Sequence, residues 1–331
     1  MCKFNFFINH ITIKTKNILI TLVKILIGLI SFYVIYNRLA QIPHLKEQSL
    51  LWLHNTKIIS AIIITLLLMP LNWGIECFKW KIITTQVEPI SFKTAIKSVF
   101  TGICLGNIAP GRAMEFVAKI YFFKSENKPS ITILHFINGM FQMLITVTAG
   151  ICAIAYTFNS NTNNQSSLLF YIIIFGGVIL ISIFFFFFFN IGYIQNKLKF
   201  IKWFKLKEDA KSLSFNKTII ISLLSLSIVR YTIFTMQFYL LYSSFSASIP
   251  FFTSVAGIAG YFMLTSIIPM ISVIEPAIRA AIALFVFNST PENSFSIIIS
   301  STLLWIINVV LPSGIGYLII LKEKINFKTS K

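Results

Sequence analysis

Apolar runs long enough to cross a membrane recur from one end of this chain to the other. A hydrocarbon core of ~30 Å is crossed by a helix of roughly 20 apolar residues. Charged residues make up only 11% of the chain, whereas soluble domains average about 25%. The sequence therefore predicts an all-α fold, a polytopic membrane helix bundle forming a single domain over residues 1–331. Full crossings are predicted at residues 17–36, 58–78, 130–157, 168–189, 218–243 and 295–320.

Two further apolar segments are each interrupted near the middle. Residues 95–123 are broken at Pro110–Gly111, and residues 250–287 are broken at Pro269. Charged residues follow each break within a few positions. Because proline ends or kinks a helix, neither segment reads as one uninterrupted crossing.

Basic residues separate the apolar runs and set a predicted topology. The formal net charge of +18 would suggest nucleic acid in a soluble protein, but here the lysines are topology signals, and we expect no nucleic-acid partner. The segments at 158–167, 244–249 and 288–294 contain no Lys or Arg, whereas the loop at 37–57, also predicted outside, is an exception with three. Both termini are therefore predicted to be cytoplasmic. The lysine-bearing cytoplasmic segments are 1–16, 79–97, 190–217 and 322–331.

This topology has a consequence for the broken segments. The charge bias is satisfied only if each of them leaves the membrane on the side where it entered. Segment 95–123 then dips in from the cytoplasm, and segment 250–287 dips in from outside. Two re-entrant hairpins of opposite orientation predict an inverted repeat around a cavity.

The 190–217 loop allows two interpretations. It carries seven lysines, and three of them, Lys199, Lys202 and Lys205, share one arc of a helical projection opposite an aromatic arc. An interfacial amphipathic helix that binds anionic headgroups would show this pattern. A solvated basic loop would show it equally well.

Each broken segment carries charges at helical spacing. After Pro110 come Arg112, Glu115 and Lys119, and after Pro269 come Glu275 and Arg279. Residues three and four apart share one face of a helix. Because each ionised residue facing lipid costs ~2.5–3.5 kcal/mol, these side chains must pair or face water. They either neutralise one another and lock the hairpins, or bind a polar group in the cavity.

A third charge lies within a predicted span. Arg230 is in the middle of 218–243, a span without acidic residues, so its partner is expected to be Glu115 or Glu275. Gln142 and Gln237 are expected to support the site or to join helices by hydrogen bonds. Glu76 is expected to form an interfacial pair with Lys79, so its replacement should have little effect.

Other chemistry is not indicated. The cysteines Cys2, Cys77, Cys104 and Cys152 lack metal-ligand spacing, and the four histidines are far apart. We therefore predict no metal, no cofactor and no catalytic residue.

Four stretches of the sequence resemble one family. NIAPGRAMEFVAKIYFF and PMISVIEPAIRAAIALFVF contain the two charged motifs, and LNWGIECFKWK and IVRYTIFTMQFYLL fit the same pattern. The chain resembles the flippase-like membrane domain of lysylphosphatidylglycerol synthases over residues 60–320. It departs from the pattern at Met114, where a glycine is common, and at Pro276, which follows the second glutamate.

The resemblance implies movement of a phospholipid or lipid-linked molecule between leaflets of a bacterial inner membrane. Substrate-binding residues are then Arg112, Glu115, Lys119, Arg230, Glu275 and Arg279. The guanidinium groups of the three arginines suit an anionic or zwitterionic headgroup. Only about ten residues follow the last predicted span, so we expect the soluble aminoacyltransferase domain of the synthases to be absent. The alternatives are an intramembrane lipid-modifying enzyme with Glu115 or Glu275 as general base, and a membrane scaffold.

Overall fold

The described part of the protein is helical and contains no strand. The structure, a computed structural model, describes residues 54–108, 114–160, 167–189, 215–245, 250–268, 274–287 and 291–323, with isolated positions between 33 and 40. In chain order the helices are α1 Thr56–Thr84, α2 Phe92–Ile108, α3 Met114–Ile120, α4 Lys128–Ser160, α5 Ser167–Phe189, α6 Lys217–Phe245, α7 Phe251–Ile267, α8 Glu275–Val286, α9 Pro291–Trp305 and α10 Leu311–Lys322. A π-helical turn, Ile306–Val310, joins α9 to α10.

Four helical stretches are long and apolar enough to cross a membrane: Thr56–Thr84, Lys128–Thr157, Lys217–Phe245 and Asn293–Lys322. They coincide with four of the predicted spans, and α5 covers a fifth, 168–189. Large apolar side chains such as Leu67 and Phe175 point outward and are 69% exposed. Surfaces of this kind are suited to lipid. The all-α multi-pass membrane fold is therefore confirmed.

Helices α2 and α3 form the first helix pair and run antiparallel. The Ser98 hydroxyl on α2 donates to the Lys119 carbonyl on α3 at 2.9 Å. Eight residues further along α2, a Cβ on Gly106 would lie 3.0 Å from the Glu115 Cβ. Residue 98 contacts residue 119, and residue 106 contacts residue 115. The chain has therefore reversed direction between the two helices.

Helices α7 and α8 form the second helix pair, also antiparallel. A Cβ on Gly257 would lie 2.7 Å from the Phe287 ring, at the far end of α8. Nearer the start of α8, Arg279 hydrogen-bonds with Tyr261. Pro276 occupies the first turn of α8, where its missing N–H costs no hydrogen bond. It therefore helps to start this helix directly at Glu275.

Each helix pair packs into its own apolar cluster. One cluster includes Trp80, Val99 and Leu134 from α1, α2 and α4. The other includes Phe238, Ile258 and Ala283 from α6, α7 and α8. Helix α10 packs against α2, and Gly316 contacts the Phe100 carbonyl at this interface. A side chain at Gly316 would force these helices apart.

Both predicted breaks fall between helices, at 109–113 and 269–273. Those residues, including Pro110, Gly111, Arg112 and Pro269, lie outside the described part of the chain. So do most of the first predicted span, 17–36, residues 161–166 of the segment predicted to lie outside, 158–167, and the 190–217 loop up to residue 214. The predictions made for them stay predictions.

Candidate functional site

A cavity of about 580 Å³ lies inside the bundle, and both helix pairs contribute to its wall. Its lining includes Trp73 and Ile103 from the first apolar cluster and Tyr261 and Leu304 from the second. The charged residues of the wall are Glu76 on α1, Glu115 and Lys119 on α3, Arg230 on α6, and Glu275 and Arg279 on α8. Five of the six predicted site residues are thus brought together, and the sixth, Arg112, is outside the described residues.

Glu76 lies at the centre of the charges on one side of the cavity. Its carboxylate is 3.1 Å from the Arg230 guanidinium and 3.8 Å from the ammonium groups of Lys119 and Lys79. Asn138 on α4 adds a hydrogen bond of 2.8 Å to the same carboxylate. One buried carboxylate therefore serves three cations from three helices.

Glu76 pairs with Lys79, as expected from the sequence, but the pair is buried in the bundle and the expected interfacial position is wrong. Helix α1 continues to Thr84, six residues beyond the predicted end, so Glu76 and Lys79 are inside it. Both side chains are buried, and Lys79 is 0% exposed. The predicted partners of Arg230, Glu115 and Glu275, are also wrong, because α6 packs against α1 and brings Arg230 to Glu76.

Glu115 and Lys119 pair within the short helix α3. Their charged groups are 3.0 Å apart and separated by one helical turn. The acid lies in the first turn and the base in the last, which the helix dipole favours. Gly102 on α2 makes room for the pair, because a Cβ there would lie 2.8 Å from the Lys119 Cγ. A side chain larger than hydrogen at position 102 would therefore displace Lys119 from this position.

Glu275 and Arg279 pair one turn apart at the start of α8. The Arg279 Nε and Nη2 atoms are each 2.8 Å from the Glu275 Oε1 atom. The hydroxyl oxygen of Tyr261 on α7 accepts a further hydrogen bond from the guanidinium. The Glu275 side chain is 5% exposed and that of Arg279 is 20% exposed. Arg279 is thus the more accessible member of the pair.

Arg230 is also held by aromatic rings. Its guanidinium lies 4.9 Å from the centre of the Trp73 ring and 5.3 Å from that of Phe234. Cation–π contacts of this kind strengthen when water is excluded. The rings and Glu76 together fix the guanidinium at the cavity wall.

Gln237 joins helices and does not line the cavity. Its amide donates to the Thr65 carbonyl at 2.9 Å and accepts from Asn308 at 3.1 Å. Asn308 lies in the π-helical turn and accepts from Asn72 at 3.2 Å. Gln142, by contrast, is on the cavity wall and donates to the Ser227 carbonyl at 3.4 Å.

Several residues of the site are not predicted from the sequence. Glu76 was assigned to the membrane surface, and His135, Asn138 and Asn308 were not singled out at all. The described wall carries three carboxylates and three cations, so its formal charge is zero. Lys79, which pairs with Glu76, adds a fourth cation next to the wall and gives the group a formal charge of +1.

A metal site is not apparent among the described residues, where no three His, Cys, Asp or Glu side chains are grouped to hold an ion. The described cysteines, Cys77, Cys104 and Cys152, are free thiols.

The helices and the charged cavity define a multi-pass membrane protein with a polar site inside its bundle. Residues 21–310 match the family described as the lysylphosphatidylglycerol synthase TM region. The match covers most of the chain, so the protein belongs to this family, as the resemblance implied. No curated protein matches the chain.

Proposed function

We propose that the protein moves a lipid or lipid-linked molecule between the leaflets of the bacterial inner membrane, with the headgroup bound in the charged cavity. One observation carries the proposal: six Glu, Lys and Arg side chains from four helices line a single cavity within a bundle whose helices are long and apolar enough to span a membrane. Membership of the lysylphosphatidylglycerol synthase TM region family supports an association with lipids.

The charge balance favours a headgroup that contains phosphate. The buried network holds Glu76, Glu115 and Glu275 against Lys79, Lys119, Arg230 and Arg279, a formal sum of +1. A bound anion would neutralise this positive charge. Guanidinium groups bind phosphate through paired hydrogen bonds, and the two arginines are on the wall.

The two helix pairs supply a route to both sides of the membrane. In the proposal each pair is a re-entrant hairpin, the first entering from the cytoplasm and the second from outside, with both chain termini cytoplasmic. Support comes from the antiparallel packing within each pair and from the cavity at their junction. Related architectures place binding sites between inverted repeats near the middle of the membrane.

A lipid-modifying enzyme is the second candidate, and His135 is the observation that favours it. This imidazole is on the cavity wall with Glu115 and Glu275, each of which was considered as a general base. A histidine beside a carboxylate is a common acid–base arrangement. The enzyme would change the mass of its lipid, whereas a transporter would not.

Reconstitution tests the proposal directly. Vesicles with a fluorescent phospholipid in both leaflets would be mixed with a membrane-impermeant quencher. We expect vesicles containing the protein to expose the inner-leaflet label faster than protein-free vesicles, with lipid masses unchanged. A new lipid mass would favour the enzyme. If lipid exchange occurred at the protein-free rate and no lipid mass changed, both functions would be rejected. The membrane scaffold would then be the remaining alternative.

A further inference from the structure

We propose that the bound headgroup is rich in hydroxyl groups, as in a sugar or polyol phosphate, an inference that rests on the proposed function and specifies its substrate class. The ion pairs of the cavity already satisfy much of its charge. What remains is a set of buried polar atoms on wall residues that have no hydrogen-bond partner among the described residues. They include Asn138 Oδ1, Gln142 Oε1, Arg230 Nε, Trp305 Nε1 and His135 Nδ1. Glu76 Oε2 and Tyr231 Oη are not in this set because they interact with Arg230 and Thr235.

Two of these atoms are hydrogen-bond acceptors. The Asn138 amide nitrogen donates to the Glu76 carboxylate, and the Gln142 amide nitrogen donates to the Ser227 carbonyl. Both of those partners can only accept, so the nitrogen and oxygen of each amide are fixed. The oxygens Oδ1 and Oε1 are therefore the atoms that lack a donor.

Two others are donors only. Arg230 Nε and Trp305 Nε1 each carry a hydrogen and have no acceptor capacity. A phosphate, which accepts, would satisfy these two and leave Asn138 and Gln142 unpaired. An ammonium, which donates, would do the reverse. A hydroxyl group donates and accepts, so a ligand bearing several of them satisfies both kinds of atom.

The size and walls of the cavity fit such a ligand. A cavity of about 580 Å³ is within the range of ~300–1,000 Å³ that is usual for small-molecule sites, which leaves room for a ring or chain beyond the phosphate. The rings of Trp305, Tyr261 and Phe262 form part of the wall. Their apolar faces suit the C–H face of a sugar or inositol ring, while the polar atoms suit its hydroxyls.

Lipid binding to the purified protein in nanodiscs tests the inference. Phosphatidylinositol, phosphatidic acid and phosphatidylethanolamine with the same acyl chains serve as probes for hydroxyl, phosphate and amine headgroups. We expect phosphatidylinositol to bind at least tenfold more tightly than phosphatidic acid. Loss of one neutral hydrogen bond reduces affinity roughly threefold to tenfold. Gln142→Met should lower phosphatidylinositol affinity by that factor and leave phosphatidic acid affinity unchanged, because an ionised phosphate offers no donor to the Gln142 oxygen. Trp305→Phe should lower both affinities, because phosphate oxygens also accept from the indole nitrogen.

Matched changes separate these effects from misfolding. Gln86→Met, outside the cavity wall, should leave all three affinities at wild-type values. Equal binding of phosphatidylinositol and phosphatidic acid would overturn the hydroxyl inference while the proposed function stands. Tighter binding of phosphatidylethanolamine would overturn it in favour of an amine. Failure of all three lipids to bind would reject the proposed function as well.

Discussion

Replacement of Glu76 by glutamine is expected to lower the free energy of unfolding by about 3–5 kcal/mol, because it removes one partner from a buried ionic network. Arg230, Lys119 and Lys79 all lie within 3.8 Å of this carboxylate, and Lys79 is fully buried. Without Glu76 these cations repel one another in a medium that solvates them poorly. This expectation replaces the small effect predicted from the sequence.

Thermal stability of the detergent-purified protein would measure the effect, with Glu323→Gln as the matched control. Glu323 also pairs with a lysine, Lys97 at 2.6 Å, but both side chains are partly exposed. Exposed pairs of this kind contribute little to stability. The double variant Glu76→Gln/Lys79→Met should be more stable than Glu76→Gln alone, since it removes a cation that has lost its partner. A melting temperature of Glu76→Gln equal to that of wild type would show that Glu76 is not the hub of this network.

The second large effect is expected at Arg279. Arg279→Lys should reduce lipid exchange about tenfold to hundredfold, which corresponds to loss of charge-assisted hydrogen bonds in transport. The lysine keeps the positive charge beside Glu275, so folding should be preserved. It lacks the planar fork that binds phosphate through two parallel hydrogen bonds.

Initial exchange rates in vesicles, normalised to the amount of inserted protein, would measure this loss. Lys57→Arg is the control, because Lys57 is exposed in the first turn of α1 and is not among the residues of the cavity wall. Both variants should insert and purify like wild type. If Arg279→Lys exchanged lipid at the wild-type rate, the Arg279 guanidinium would not take part in headgroup binding.

Much of the fold was predictable because apolar length alone marks a membrane helix. The predicted ends were less accurate, and α1 shows why. Lys79 and Lys81 follow an apolar run, and charge after such a run normally marks the membrane surface. In the folded protein Lys79 pairs with Glu76 inside the bundle, and the helix continues to Thr84. Sequence spacing predicts this pair but not its burial, because the helices that bring Arg230 and Lys119 to Glu76 are distant in the chain.

The candidate site was predictable where its charges share a helix. Glu115 with Lys119 and Glu275 with Arg279 are each one turn apart, and both pairs form. The partner of Arg230 was not predictable, since it depends on how α6 packs against α1. The π-helical turn that places Asn308 at the wall has no recognisable sequence pattern either.

Blocking the cavity tests most directly whether the headgroup binds there. Gly139 on α4 is on the cavity wall, and a Cβ added to it would meet no atom within 4 Å. Gly314 on α10 has the same open surroundings but is not part of the wall. Both are helical, so a tryptophan at either position carries a similar cost to the helix.

Leaflet exchange by these two variants would be measured in parallel with wild type. We expect Gly139→Trp to fold and insert but to lose exchange, while Gly314→Trp keeps it. Exchange by Gly139→Trp at the wild-type rate would contradict a headgroup path through this cavity.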